Sequence, residues 1–166
     1  MQGIPLNERK RLGALLDDRP QTEVMAMIPQ FSQAETDNFV APPAKIPEAL
    51  GVLMFNMERG VNLPEIQEFL RDCPDIQPFD VILANELDDG CARSGNKNTA
   101  RELAQAFGLN YAWGLEFIEL VNDENAKGFH GNAVFSRWPI RRAGVIRLPE
   151  QYNWYFDRQK RIGGRL

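Results

Sequence analysis

From Gly51 onward, apolar runs of strand length alternate with segments of helical spacing, and few architectures accept that order. Residues 51–56 form the first apolar run, and residues 63–71 give an amphipathic helix with Pro64 at an early position, where its missing N–H costs little. The next strand spans 79–87. A second helix follows over 98–107, capped by Asn98 or Asn96 and closed by Gly108, a good residue for the left-handed turn that ends a helix. Three further strands are expected over 110–120, 131–137 and 143–148, and 161–166 reads as the opening of another. Strand and helix in alternation predict an α/β domain.

The first 44 residues have a different texture. Apolar residues at Leu12, Leu15 and Leu16, and again at Val24, Met25 and Met27, suit short helices over 5–36 broken by Pro20 and Pro29. Ala41-Pro42-Pro43-Ala44 then punctuates the chain. Residues 1–44 are therefore expected to be a helical extension, packed on the main fold or partly mobile, with residues 45–166 as the principal unit. A length of 166 residues suits one domain or part of a larger one. No apolar stretch approaches the roughly 20 residues that span a bilayer, and Glu8, Arg9 and Lys10 interrupt the N-terminus before any secretory core can form. A cytoplasmic protein without a membrane span is the expectation.

Cys73 and Cys91 lie 18 positions apart with no CxxC spacing, so reduced thiols are expected rather than a disulfide scaffold or a zinc site. His130 is the only histidine, which excludes a multi-histidine metal site. Any metal must then be held by oxygen. The net charge of −4 conceals a division: residues 1–126 carry 10 basic and 21 acidic side chains, residues 127–166 carry 9 and 2. The basic segment, Lys127, Arg137, Arg141, Arg142, Arg147, Arg158, Lys160, Arg161 and Arg165, either attracts phosphate or neutralises the acidic part.

Four segments carry candidate chemistry. Asn56 closes the first strand and Glu86 the second, at strand ends where α/β folds build sites. Asn56 offers a carbonyl oxygen and Glu86 a carboxylate, ligands that suit Mg²⁺, although both residue types also serve ordinary turns. Arg93 follows in a loop bounded by Gly90 and Gly95, where a guanidinium either clamps a phosphate or stays solvated. His130 sits between Gly128 and Gly131, just before Asn132 opens a strand, and is read either as a structural or as an acid–base residue.

Together Phe55-Asn56-x-Glu58-Arg59-Gly60, then Asp80-Val81-Ile82-Leu83-Ala84-Asn85-Glu86, then Gly128-Phe129-His130-Gly131-Asn132-Ala133-Val134-Phe135-Ser136-Arg137-Trp138-Pro139-Ile140 resemble the endonuclease/exonuclease/phosphatase superfamily, the group of deoxyribonuclease I. All three segments stand in family order. The resemblance implies half of a two-sheet β-sandwich flanked by helices and a phosphoester hydrolase dependent on Mg²⁺ or Mn²⁺. It places Asn56 and Glu86 at the metal and His130 and Asn132 in the catalytic region beside it; the position of Arg93 just after Glu86 in a Gly-bounded loop would let its guanidinium reach a phosphate held there. Nucleic acid, lipid and sugar phosphate all fit that chemistry. The family's later Gly-Asp-x-Asn and Ser-Asp-His segments, which position the attacking water and stabilise the transition state, do not occur in the 166 residues. The expectation is therefore an N-terminal half whose sheet is completed by a second chain. A catalytically inactive half-domain acting as a binding module is the alternative.

Overall fold

The computed structural model describes residues 1–150, 152–156 and 160–166; Arg158 of the basic segment lies outside the described residues. Its fold is α/β, with one mixed sheet. Strands β1 (Ala34–Asp37), β2 (Val52–Arg59), β3 (Val81–Asp89), β4 (Asn110–Glu119) and β5 (Phe129–Ser136) lie side by side in the order β1-β4-β5-β3-β2, and β6 (Arg161–Gly163) pairs with β4 beside β1. Among the described residues only β2 and β3 are paired in parallel; the other pairings are antiparallel. A parallel pair needs a crossover, and the third helix of the chain supplies it.

The helices in chain order are α1 (Leu6–Leu15), α2 (Gln21–Ala26), α3 (Leu63–Asp72) and α4 (Thr99–Phe107). The crossover between β2 and β3 is α3, opened by Pro64 in its first turn. The side chain of Asn98 accepts a hydrogen bond from the Arg101 N–H, and Gly108 ends α4 with φ 60°, in the left-handed region. Helix α4 packs on β3 and β4, with Ala100, Leu103 and Ala104 fully buried. Alternate sheet residues, among them Ile82, Ala84, Tyr111, Trp113, Leu115, Ala133 and Phe135, join the same core.

Residues 1–44 contribute Leu12, Leu16, Val24, Ile28 and Phe31 to that single core, so the extension is packed against the main fold. It is not wholly helical. Ala34–Asp37 forms β1 against β4, an element with no apolar alternation of its own. Its Glu35 accepts hydrogen bonds from Tyr111 Oη at 2.6 Å and Asn98 Nδ2 at 2.9 Å. The strand expected over 143–148 is absent: residues 142–146 line the open sheet face instead of an edge, and in that stretch the Leu148 N–H makes a backbone bond to Arg165 O. The expected opening of a strand after residue 160 is realised as β6. His130 lies within β5, which begins at Phe129, and not in a turn before it.

The sheet face away from the core is only partly covered. Met54 is 72% exposed and Val52 54%, with Leu83 and Val134 also exposed beside them on β3 and β5. Residues 140–146 run over the far side of this face and leave a groove of about 630 Å³ above Leu83, Ala112 and Val134. Among the described residues, no helix is long and apolar enough to cross a membrane.

Candidate functional site

Three pairings among the four strands β2, β3, β4 and β5 break register at one level of the sheet. The pairing of β2 with β3 shifts between Asn56 and Arg59, that of β3 with β5 between Ala84 and Leu87, and that of β4 with β5 between Leu115 and Phe117. A bulge inserts an extra residue and re-aims its side chain. Here the inserted residues include Glu86, with φ 58° in the left-handed region, and Glu116. Leu87, and not Glu86, consequently enters the hydrophobic core. Side chains satisfy the backbone that the bulges displace: Asn132 Oδ1 accepts from the Glu86 N–H at 3.1 Å, and Asn56 Oδ1 accepts from the Glu58 N–H at 2.8 Å.

These residues surround one pocket of about 400 Å³, lined by Asn56, Asn85, Glu86, Glu116, Asn132 and Arg165, with Leu148 and Leu166 at its rim. Asn56 and Asn85 are register partners on the parallel pair. Asn56 and Glu86, read from the sequence as strand ends, lie instead at register breaks within β2 and β3, which run on to Arg59 and Asp89, and they line one pocket together with Asn132. The Glu86 carboxylate has no hydrogen bond or ion pair among the described residues. Glu116 is 2% exposed, and Arg165 Nη1 donates to its Oε1 at 3.2 Å. Behind them, Arg147 donates to the carbonyls of Phe31 (2.9 Å), Gly164 (2.8 Å) and Leu115, and stacks 4.7 Å over the Phe31 ring. Burial pushes the Arg147 guanidinium down to about 10, with nearby Glu116 opposing the shift.

The donors fit a hard cation. Two carboxylates and three amide oxygens face the pocket, and Mg²⁺ usually takes one or two protein carboxylates while keeping several waters. No group of three or more His, Cys, Asp or Glu among the described residues is placed to share an ion. Asn56 and Asn132 each already accept one backbone hydrogen bond, and each carbonyl oxygen keeps a second lone pair.

His130 and Arg93 stand elsewhere, in a buried ionic network. Arg93 donates from Nε and Nη2 to the two oxygens of Asp88, at 2.7 and 2.9 Å, and from Nη1 to Glu119. The expected phosphate clamp is corrected accordingly, since both ends of the guanidinium fork are engaged by the chain's own carboxylates. His130 Nδ1 lies 2.9 Å from Asp88 Oδ1, with its ring stacked on Phe117. Ser94 Oγ donates to Asp88 at 3.2 Å, and Arg9 and Asn125 extend the network to Glu119. Burial alone would raise the Asp88 carboxyl, but the hydrogen bonds from His130 and Arg93 outweigh it and hold the group below its ordinary value of 3.8. An ionised carboxylate only accepts, so Nδ1 of His130 carries the proton of this bond.

Sequence reasoning missed Glu116 and the placement of Arg165. A lone carboxylate between Leu115 and Phe117 in an apolar strand was the available signal for the first. Nothing local marks Arg165, which reaches the pocket because β6 pairs with β4. No protein-family model, curated protein or solved structure matches the chain.

Proposed function

We propose that the chain is the ion-binding half of a Mg²⁺-dependent phosphoester hydrolase of the endonuclease/exonuclease/phosphatase type. The observation that carries this reading is the convergence of Asn56, Glu86 and Asn132 on one pocket in which the Glu86 carboxylate has no partner among the described residues. An unpaired carboxylate beside amide oxygens is an arrangement that a divalent cation completes. A bound Mg²⁺ would polarise a phosphoryl oxygen and neutralise charge developing on it. Glu86 and Asn56 would hold the ion, with Glu116 as the second carboxylate of the pocket. Asn132 fixes the backbone of Glu86, so the carboxylate is aimed before an ion arrives.

The open face supports a second layer. Val52, Met54, Leu83 and Val134 form an apolar surface of the kind that a facing sheet covers. In this reading a second polypeptide brings that layer and the Asp-Asn and His groups that activate water. One observation favours the alternative of a non-catalytic binding module: the only histidine is held by Asp88 within a buried network.

Titration with Mn²⁺ followed by electron paramagnetic resonance tests the ion site directly. Wild type should bind Mn²⁺ in competition with Mg²⁺, and Glu86→Gln should weaken binding about tenfold or more, as loss of a charged ligand requires. Equal affinity in the two proteins would remove Glu86 from the site. Hydrolysis of bis-nitrophenyl phosphate by this chain alone should be negligible with or without EDTA; robust EDTA-sensitive turnover would show that no second half is needed.

A further inference from the structure

We infer that Arg165, set in place by Glu116, is the phosphoryl-binding group of the pocket. The inference rests on the hydrolase reading of this pocket and adds the element that reading lacks, a cation to receive the anion.

Glu86 and the amides of Asn56 and Asn85 line the pocket from β2 and β3, and Arg165 lines it from the segment after β6. Arg165 uses Nη1 on Glu116 and its guanidinium lies 5.9 Å from the centre of the Trp154 ring, while its other nitrogens donate no hydrogen bond among the described residues. Its side chain is 52% exposed while that of Glu116 is 2% exposed, so the pair is anchored at the buried carboxylate and open at the guanidinium. That is the form of a held donor rather than of a closed ion pair. Arg93 gives the contrast, with its fork engaged at both ends and its carboxylate partners buried.

Glu116 also has more positive charge near it than it can neutralise. Arg147 lies close enough to feel its field, yet makes all its hydrogen bonds to carbonyls. Arg165 thus pairs with a carboxylate that already lies in the field of a second, buried guanidinium behind the pocket. A carboxylate with amide oxygens and an arginine lining one small cavity suit a phosphoryl group, which the arginine would receive. The planar fork of arginine matches two phosphate oxygens at once. The side-chain amide N–H groups of Asn85 and Asn132 are further donors, unengaged among the described residues.

The fold positions the clamp through Gly163. This residue has φ 150°, and a Cβ added there would lie 2.0 Å from the Glu116 carbonyl oxygen. The β6 backbone is thereby seated directly on the Glu116 bulge, and the Gly164 N–H donates to the same carbonyl at 3.1 Å. Two residues further on, the Arg165 side chain meets the Glu116 carboxylate.

The test uses the 166-residue chain in EDTA, with inorganic phosphate as the probe in isothermal titration calorimetry and amide chemical shifts to locate the site. Wild type should bind phosphate saturably and shift the amides of Asn132 and Leu148. Arg165→Ala should weaken binding about tenfold or more. Arg165→Lys should fall between, because it keeps the charge and loses the fork. Glu116→Gln keeps an acceptor for Arg165 and removes a repelling charge, so its affinity should equal or exceed wild type, whereas Glu116→Ala should weaken binding. Absence of phosphate binding by wild type, or an unchanged affinity in Arg165→Ala, overturns the proposal. Competition by a dinucleotide, a sugar phosphate or a phosphocholine ester identifies which ester the pocket favours. The readout needs no metal, so it can fail while the Mn²⁺ titration at Glu86 succeeds, and the reverse.

Discussion

Glu86 and Asp88 stand two residues apart on β3, and the structure treats their carboxylates in opposite ways. Asp88 is fully buried and receives hydrogen bonds from Arg93, His130 and Ser94. Glu86 is half-buried, faces the pocket and has no partner among the described residues. A saturated carboxylate is part of the frame, whereas an unsaturated one at a pocket wall is held ready for something outside the chain. Burial alone does not separate these roles; completeness of partners does.

The largest expected effect breaks the frame. Asp88→Ala leaves Arg93 and His130 without their shared acceptor and should destabilise the fold by about 3 kcal/mol, the scale of breaking a buried ionic pair. Urea unfolding measures it, and a loss below about 1 kcal/mol would show that the network is not structural. Acid sharpens the same contrast. The Asp88 carboxyl is depressed in the folded state, so the stability it contributes is present above the unfolded value near 3.8 and lost as pH falls through the lower folded value. The acid limb of wild-type stability should therefore be steeper than that of Asp88→Asn.

Next in size is the contrast between the two sheet faces. Ile82 is fully buried, and Ile82→Ala should cost about 2–4 kcal/mol, while Met54→Ala on the open face should change stability by less than about 0.5 kcal/mol. Equal costs at the two positions would mean that the open face is covered in solution. Glu86→Gly should raise stability by about 1 kcal/mol, because glycine removes the strain of a side chain at φ 58°. Smallest is Glu86→Gln, which keeps shape and backbone and should leave the urea midpoint unmoved within about 0.5 kcal/mol while lowering Mn²⁺ affinity. A large unfolding effect from Glu86→Gln would place Glu86 in the frame beside Asp88.

Much of this architecture was legible in local pattern. The apolar runs before Asn56 and Glu86 mark two strands because burial on the core face demands them, and Pro64, Asn98 and Gly108 mark helix ends because each answers a backbone requirement. The bulges were not legible. In a straight β3, Glu86 would share a face with Ile82 and Ala84; the inserted residue gives that place to Leu87, and only pairing with β5 determines where the insertion falls. Arg93 misled for a related reason: its loop looked open, but Asp88 and Glu119, the latter 26 residues on, fold over its guanidinium. Short β1 and the location of Arg165 likewise depend on partners distant in the chain. Long-range pairing leaves little trace in composition.

Arg147 has a consequence in time. Residues 140–148 are attached to the body near their ends: the Ile140 N–H donates to Asn38 Oδ1, and at the other end Arg147 grips three carbonyls while the Leu148 N–H donates to Arg165 O. Among the described residues, the amides of 141–146 have no hydrogen-bond partner. Hydrogen exchange in that stretch should be rapid, while Leu148 exchanges slowly, and Arg147→Ala should bring Leu148 to the rate of its neighbours. The segment can then lift between its two moorings on the nanosecond-to-microsecond scale of loops, ventilating the groove beneath it while the sheet stays folded.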